Sequence, residues 1–236
     1  MARLPRLVVP HQPHNIIQRG IDHQSIFRDS EDYASFLGWL RDAAKKFRVA
    51  IHAYVLLPEH LHLLATPSDE VGLGRMMQWV GRQYVPYFNN KYKRSGTLWQ
   101  GRYKATVIDA EKYFISCSRY IEVHPVRAGL VTSAVEYAWS SYAHHVGAKQ
   151  DPLITDHAIY WALGNTPFDR EAAYSNLAEQ ALTSKEVDEL SEATRKGWAL
   201  GSDQFKGRLE KRVNRRVSPA KRGRPSKPIE PEQVDS

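Results

Sequence analysis

The sequence predicts an α+β protein, an antiparallel sheet with helices on one face. Three observations predict it. Apolar runs of strand length occur near residues 14–19, 49–57, 57–64 and 103–108. Longer segments between them carry apolar residues at helical spacing. The two kinds of segment alternate as β-α-β-β-α-β-α, and the two middle strands are joined by a tight connection at Pro58 that makes them an antiparallel pair.

Each element has its own signal. His14-Asn15-Ile16-Ile17-Gln18-Arg19 reads as the first strand, with Gly20 as a turn or bulge. Ser30-Glu31-Asp32 offers an N-cap and an acidic first turn. Tyr33, Phe36, Leu37, Leu40, Ala44 and Phe47 then recur at helical spacing, giving a helix over 31–47. Val49 to Leu57 and Leu57 to Leu64 are the paired strands. From Gly72 to Tyr92 a second helix has an apolar stripe of Leu73, Met76, Met77, Val80, Tyr84 and Phe88, and Pro86 should kink or break it. Arg75, Arg82, Lys91, Lys93 and Arg94 are a solvated helix face or phosphate contacts. Gly96 to Arg102 is a glycine-flanked loop whose Trp99 could stack on an unpaired base or serve as a core lid, with Arg102 and Lys104 able to hold a backbone. Tyr103 to Ile108 alternates into a strand. Asp109-Ala110-Glu111 caps a helix over 110–124, ended by Pro125.

After Gly147 the pattern changes to helices near 155–164, 168–182 and 183–196, the last capped by Thr183-Ser184-Lys185-Glu186. Trp198 and Phe205 are expected to pack this part onto the core. The chain thus divides into residues 1–147, a helical appendage over 148–205 that could bind DNA, and a basic, flexible tail over 206–236.

Composition narrows the function. A chain of 236 residues with 42% hydrophobic content can bury a sizeable core. No apolar run approaches the ~18–20 residues of a membrane span. The first residues lack the apolar core of a signal peptide. The single cysteine, Cys117, excludes an internal disulfide and a cysteine-based zinc site, and suits a bacterial cytoplasm. Cys117 is expected as a small buried helix residue, although it could line a site with Tyr120 one turn later. The net charge of +7 is concentrated late: ten Lys/Arg and one Glu lie between Lys206 and Lys227. Such a tail points to a polyanion such as nucleic acid. Within it, Lys221-Arg222-Gly223-Arg224-Pro225 resembles an AT-hook, which would lay Arg222 and Arg224 into a minor groove; the alternative is a generic basic linker.

Two segments carry chemistry. In Leu57-Pro58-Glu59-His60-Leu61-His62-Leu63-Leu64, side chains alternate, so His60 and His62 share a strand face. Two imidazoles so placed can grip one divalent ion, or they are ordinary strand histidines. Some sixty residues on, Tyr120 and His124 project from the same helical face. A tyrosine beside a two-histidine strand suits phosphoryl transfer, with the phenol as nucleophile and a metal polarising the phosphate. Tyr113 lies on roughly the same face, and spacing does not choose between the two tyrosines.

His60-Leu61-His62 resembles the His-hydrophobic-His motif of the HUH single-tyrosine transposases. The wider pattern resembles the REP-associated tyrosine transposases, bacterial relatives of insertion-sequence transposases that act on repetitive extragenic palindromes. The matching segments are Gln18-Arg19-Gly20, Leu57 to Leu64, Gly96 to Lys104, Arg119-Tyr120-Ile121-Glu122, Pro125-Val126-Arg127-Ala128-Gly129 and Trp139-Ser140-Ser141-Tyr142, in the family's order over residues 8–147. The resemblance implies a ferredoxin-like core with the His-x-His strand central and the tyrosine helix across it. It selects Tyr120 as nucleophile and His60 and His62 as ligands of Mg²⁺ or Mn²⁺. It also implies cleavage and rejoining of single-stranded DNA at hairpins through a 5′-phosphotyrosine. For such a substrate the residues expected to contact DNA are Arg19, Arg82, Trp99, Arg102, Lys104 and Arg127.

Two departures stand out. The family usually has Asn or Gln four residues after the nucleophile as third ligand, and this chain has His124, which would complete a three-nitrogen site and favour Mn²⁺ or another transition metal. Glu59 replaces a common Asn, and could approach the metal through water or cap the turn. A non-catalytic DNA-binding relative acting on palindromes, and a metal-dependent hydrolytic nuclease, are the competing readings. Insertion-sequence relatives exchange the tyrosine helix as dimers; the appendage here could block that surface and favour a monomer, and the sequence leaves both states open.

Overall fold

The computed structural model describes residues 6–219; the AT-hook-like segment with Arg222 and Arg224 lies outside them. Four strands form one sheet in the order β2-β3-β1-β4, antiparallel throughout: β1 (His14–Arg19), β2 (Val49–Leu57), β3 (His60–Pro67) and β4 (Lys104–Val107). This is the expected α+β, ferredoxin-like arrangement. The histidine strand β3 is central, with His62 opposite Val55 on one side and Ile17 on the other.

Helices α1 (Ser30–Lys46) and α2 (Gly72–Lys91) cover one face. Phe36 and Leu40 of α1 and Met76, Val80 and Tyr84 of α2 pack there on Ile16, Leu61, Leu63 and Ala65. The helices do not all lie on one face as expected: α3 (Ala110–Glu122) takes the opposite one, because the strands are apolar on both sides. There Phe114, Cys117, Tyr120 and Ile121 meet Ala53, Val55, Leu57 and Leu64. A bulge between Ile51 and Ala53 lets β2 serve both layers, because one extra residue switches which side chains face which way.

Local chemistry explains the boundaries. Asp29 rather than Ser30 caps α1, accepting from the Asp32 backbone N–H at 3.1 Å. Pro86 does not break α2, which runs unbroken from Gly72 to Lys91. Val80, Tyr84 and Phe88 are buried along the helix, and their packing offsets the lost hydrogen bond. Between β2 and β3 the turn is held by outside donors: Gly20 N–H to the Glu59 carbonyl at 2.8 Å, and Ile26 and Phe27 N–H to that of Pro58. Gly20 must be glycine, since a Cβ there would sit 2.3 Å from the Gln24 carbonyl oxygen. Helix α3 stops at Glu122, and Pro125 falls in the first turn of a separate short helix, α4 (His124–Arg127). Proline disfavours helical geometry at His124 as a continuation of α3 but suits a first turn, where no N–H donor is needed.

The C-terminal part wraps the core with α5 (Tyr142–His145), α6 (Ala158–Trp161), α7 (Pro167–Glu179), α8 (Ser184–Lys196) and α9 (Asp203–Val213). Leu190 of α8 joins the α3 layer, and the Asn15 side chain of β1 donates to Thr194 Oγ1 at 2.8 Å. Residues 206–213, read from charge as flexible tail, are helix. Phe205 and Leu209 pack with Leu7, Val9 and Val107, an apolar stripe hidden within a basic run. Trp198 is half-buried and Phe205 buried. Among the described residues no helix is long and apolar enough to cross a membrane.

The end of α3 is anchored by Glu122, which is fully buried. Its carboxylate accepts from Ser141 and Tyr174 hydroxyls and pairs with His145 Nδ1 at 2.7 Å. His145 is buried too, which alone would lower its pKa, yet the Glu122 carboxylate raises it above the ordinary imidazole value. Truncation of Glu122 would strand those donors in a dry site. Glu122→Ala should therefore lower the unfolding free energy by about 3–5 kcal/mol, measured by urea denaturation.

Candidate active site

Strand alternation turns His60 and His62 toward α3, and the α3–α4 break brings in His124. The three imidazoles close a triangle: ring centroids are 5.3 Å apart for His60–His62 and 5.1 Å for His124 with each. One nitrogen from each lies within 4.8 Å of the others. His60 Nε2, both nitrogens of His62 and His124 Nδ1 are buried without a hydrogen-bond partner. Unsatisfied buried imidazole nitrogens are costly, and these converge on one point, so the donor set fits a single divalent cation. Burial is the main reason all three favour the neutral, ligating form. It brings His60 down to about 4, helped by Arg19 and His23, and His124 to about 3, helped by Arg127 and His60. His62 is pushed well below the ordinary value, by burial and then by His124 and His60. Glu59 stands outside this triangle, 3.8 Å from His60 Nδ1 and 3.6 Å from His23 Nδ1.

A second grouping, His144, His145 and Asp156, is also close-set. It does not fit a metal. His144 Nδ1 accepts the Asp151 N–H at 3.2 Å, which places its proton on Nε2, facing Asp156. His145 is committed to Glu122.

Tyr120 completes the first site. Its ring stands edge-on to His62 at 5.7 Å and lies 6.0 Å from His124. Its phenol oxygen is 3.0 Å from Ser191 Oγ of α8. Tyr113, which spacing left as an alternative, donates instead to Glu189 Oε2 at 2.9 Å. Cys117 is a fully buried core residue, its thiol pKa raised by burial.

Tyr120 and His62 open into a cleft of about 220 Å³. Arg19, Gln100, Arg102 and Lys104 line it from the sheet side and Ser191 and Arg195 from α8. Arg19, Arg102 and Lys104 are thus gathered at the tyrosine. Arg82 and Trp99 are not; they line a neighbouring cavity of about 750 Å³, with Tyr103, and Arg102 borders both. One side of Trp99 is taken up by near-parallel stacking on Tyr84, at 6.1 Å. Arg127 lies over the Tyr120 ring, 4.1 Å from its centroid. Sequence reasoning missed Gln100, Ser191 and Arg195. Gln100 sits in a segment already singled out, but Ser191 and Arg195 lie some seventy residues beyond Tyr120 on a helix with no motif of its own.

Residues 11–124 match the family model described as "Transposase IS200 like". The matched span contains His60, His62, Tyr120 and His124, so this part of the chain is similar to the IS200-like transposases. Among solved structures, it is similar to a REP-associated tyrosine transposase bound to a REP hairpin, at 19% identity and a TM-score of 0.52, covering 66% of this chain and 92% of that one. A second match is a transposase-like protein from Deinococcus radiodurans, at 20% identity and a TM-score of 0.35, covering 49% of this chain and 93% of that one. No curated protein matches the chain.

The lowered histidines set an acid limit. His14 and His52, both near 4 through burial, join the three site histidines. Below the ordinary imidazole pKa of about 6.5 the unfolded chain takes up protons that the folded chain refuses, so stability falls as pH drops. His157 is lowered by burial as well, and His145, which works in the opposite sense, is one group against six. Metal-free protein should lose stability progressively from about pH 6.5 to about 4, seen as a falling urea midpoint. A flat profile over that range would contradict the buried, neutral state of these rings.

Proposed function

We propose that this chain is a divalent-metal-dependent transposase that cleaves and rejoins single-stranded DNA at hairpins. One observation carries the reading: the Tyr120 ring lies 5.7 Å from His62 and 6.0 Å from His124, in a cluster of three imidazoles with unpartnered buried nitrogens, and Tyr120 and His62 line a cleft with Arg19, Arg102 and Lys104. The Tyr120 oxygen attacks a backbone phosphorus. An O–P bond to tyrosine forms as the bond to the 3′-oxygen breaks, leaving a 5′-phosphotyrosine and a 3′-hydroxyl. The phenol gives up its proton and the departing oxygen gains one. The covalent link conserves the bond energy for rejoining, so no nucleotide cofactor is needed. His60, His62 and His124 would hold Mg²⁺ or Mn²⁺, with three nitrogen donors favouring Mn²⁺. Such a cation, when bound, supplies charge withdrawal and orientation at the scissile phosphate.

Arg19, Arg102 and Lys104 would bind the strand backbone beside Tyr120, while Trp99 and Arg82 would meet DNA at the neighbouring cavity. The hairpin in the similar structure supports a palindromic substrate, and the site of action on this reading is the bacterial nucleoid. The basic tail with Arg222 and Arg224 would add non-specific affinity.

The test is incubation with single-stranded hairpin oligonucleotides and Mg²⁺ or Mn²⁺, followed by a denaturing gel. A protein–DNA adduct should form and vanish in Tyr120→Phe. His62→Ala should lose both the adduct and, by at least about tenfold, Mn²⁺ affinity measured by electron paramagnetic resonance. His144→Ala should leave Mn²⁺ affinity unchanged. Cleavage without an adduct would indicate hydrolysis, and hairpin binding with neither would indicate a non-catalytic DNA-binding protein.

Tyr120 meets the histidines of its own chain, so one copy supplies the whole site. This supports action as a monomer. Light scattering across a range of protein concentrations should return the monomer mass, and a stable dimer would count against it.

A further inference from the structure

Arg127 reads from sequence as a phosphate contact, yet its side chain is committed to Tyr120. The guanidinium lies over the phenol ring at 4.1 Å. Nη2 donates to the Tyr120 carbonyl oxygen at 2.9 Å, one of the carbonyls left open at the end of α3. On an unbroken helix seven residues would separate the two by about 10.5 Å along the axis. The break at Val123, with φ −89° and ψ 6°, ends α3 and opens α4, and from there the Arg127 side chain reaches back to Tyr120. That one turn delivers two side chains to the site, His124 toward His60 and His62, and Arg127 onto the face of the nucleophile.

The ring is therefore fixed on three sides. His62 meets it edge-on, Ser191 holds its oxygen, and the Arg127 plane covers one face. A planar cation over a phenol suits this place twice over. It limits rotation of the ring, and its attraction to the ring grows as the oxygen takes on negative charge. We infer that Arg127 is a positioning residue for the nucleophile, holding the Tyr120 ring against His62 and keeping a positive charge beside it through cleavage and rejoining. The inference rests on the proposed role of Tyr120.

The test compares Arg127→Gln and Arg127→Lys with the parent protein. At saturating hairpin, single-turnover adduct formation should fall on the order of a hundredfold in Arg127→Gln, the size of loss expected from a nucleophile held out of line. Arg127→Lys keeps the charge and a donor for the carbonyl but not the plane, and should stay at least about tenfold slow. Hairpin affinity and its salt dependence should match the parent in both. In metal-free protein carrying 3-fluorotyrosine at position 120, the ¹⁹F resonance should shift in each variant as the cation leaves the ring face. Weaker binding with a salt slope reduced by about one, at an unchanged saturated rate, would make Arg127 a phosphate contact and overturn the inference. Full rescue by lysine, or a rate loss that merely follows a lowered melting temperature, would overturn it as a helix cap. An adduct from the parent that vanishes in Tyr120→Phe upholds the functional reading whatever these variants do; no adduct from the parent overturns both.

Discussion

A carboxylate sealed from solvent at the end of a helix governs much of this structure. Glu122 stands at the C-terminal end of α3, where the helix dipole already disfavours negative charge. Its burial is tolerable only because Ser141, Tyr174 and His145 converge on it. Those partners come from the segment leading into α5, from α5 itself and from α7, so the later chain closes around the helix to satisfy one charge. Two residues earlier, about 200° around the helix, Tyr120 is turned toward β3. The anchor on one side of α3 thereby fixes what the other side presents to the histidines.

Among the described residues the imidazole triangle includes no carboxylate, and Glu59 approaches only His60 Nδ1 from outside it. Three imidazoles stand close to Arg19 and Arg127, whose positive charges add to burial in disfavouring protonation and so hold the rings in the neutral form a metal requires. The charge that would balance a bound dication would, on the proposed reading, come from the substrate phosphate and the developing phenolate. On the proposed reading, metal and DNA strand would stabilise one another in the cleft, an economy that a carboxylate-rich site would not need.

Much of this was legible in the sequence because strands and helices impose fixed periods. Alternation put His60 and His62 on one face, and helical spacing paired Tyr120 with His124. Legibility failed wherever tertiary contact decided the outcome. Pro86 lies inside a helix because Val80, Tyr84 and Phe88 are buried along it. Charge counting hid the Phe205 and Leu209 stripe that makes α9 part of the body. Ser191 has no signal at all, since a lone serine on a polar helix acquires meaning only when α8 docks against α3. Arg127 carried the opposite difficulty: its chemistry was evident and its address was not, because its reach back over the Tyr120 ring depends on the break at Val123.

Tyr120 and His124 are four residues apart on the same stretch of backbone, and the Arg127 side chain bridges the Val123 break to the Tyr120 carbonyl. They travel as a unit. A helix that swung away to carry a bound strand elsewhere would take an imidazole out of the triangle with it. On the proposed reading, such a chain would favour making and resealing a break in one place over ferrying a DNA end between places, and any displacement of DNA would fall to the strand rather than to the protein.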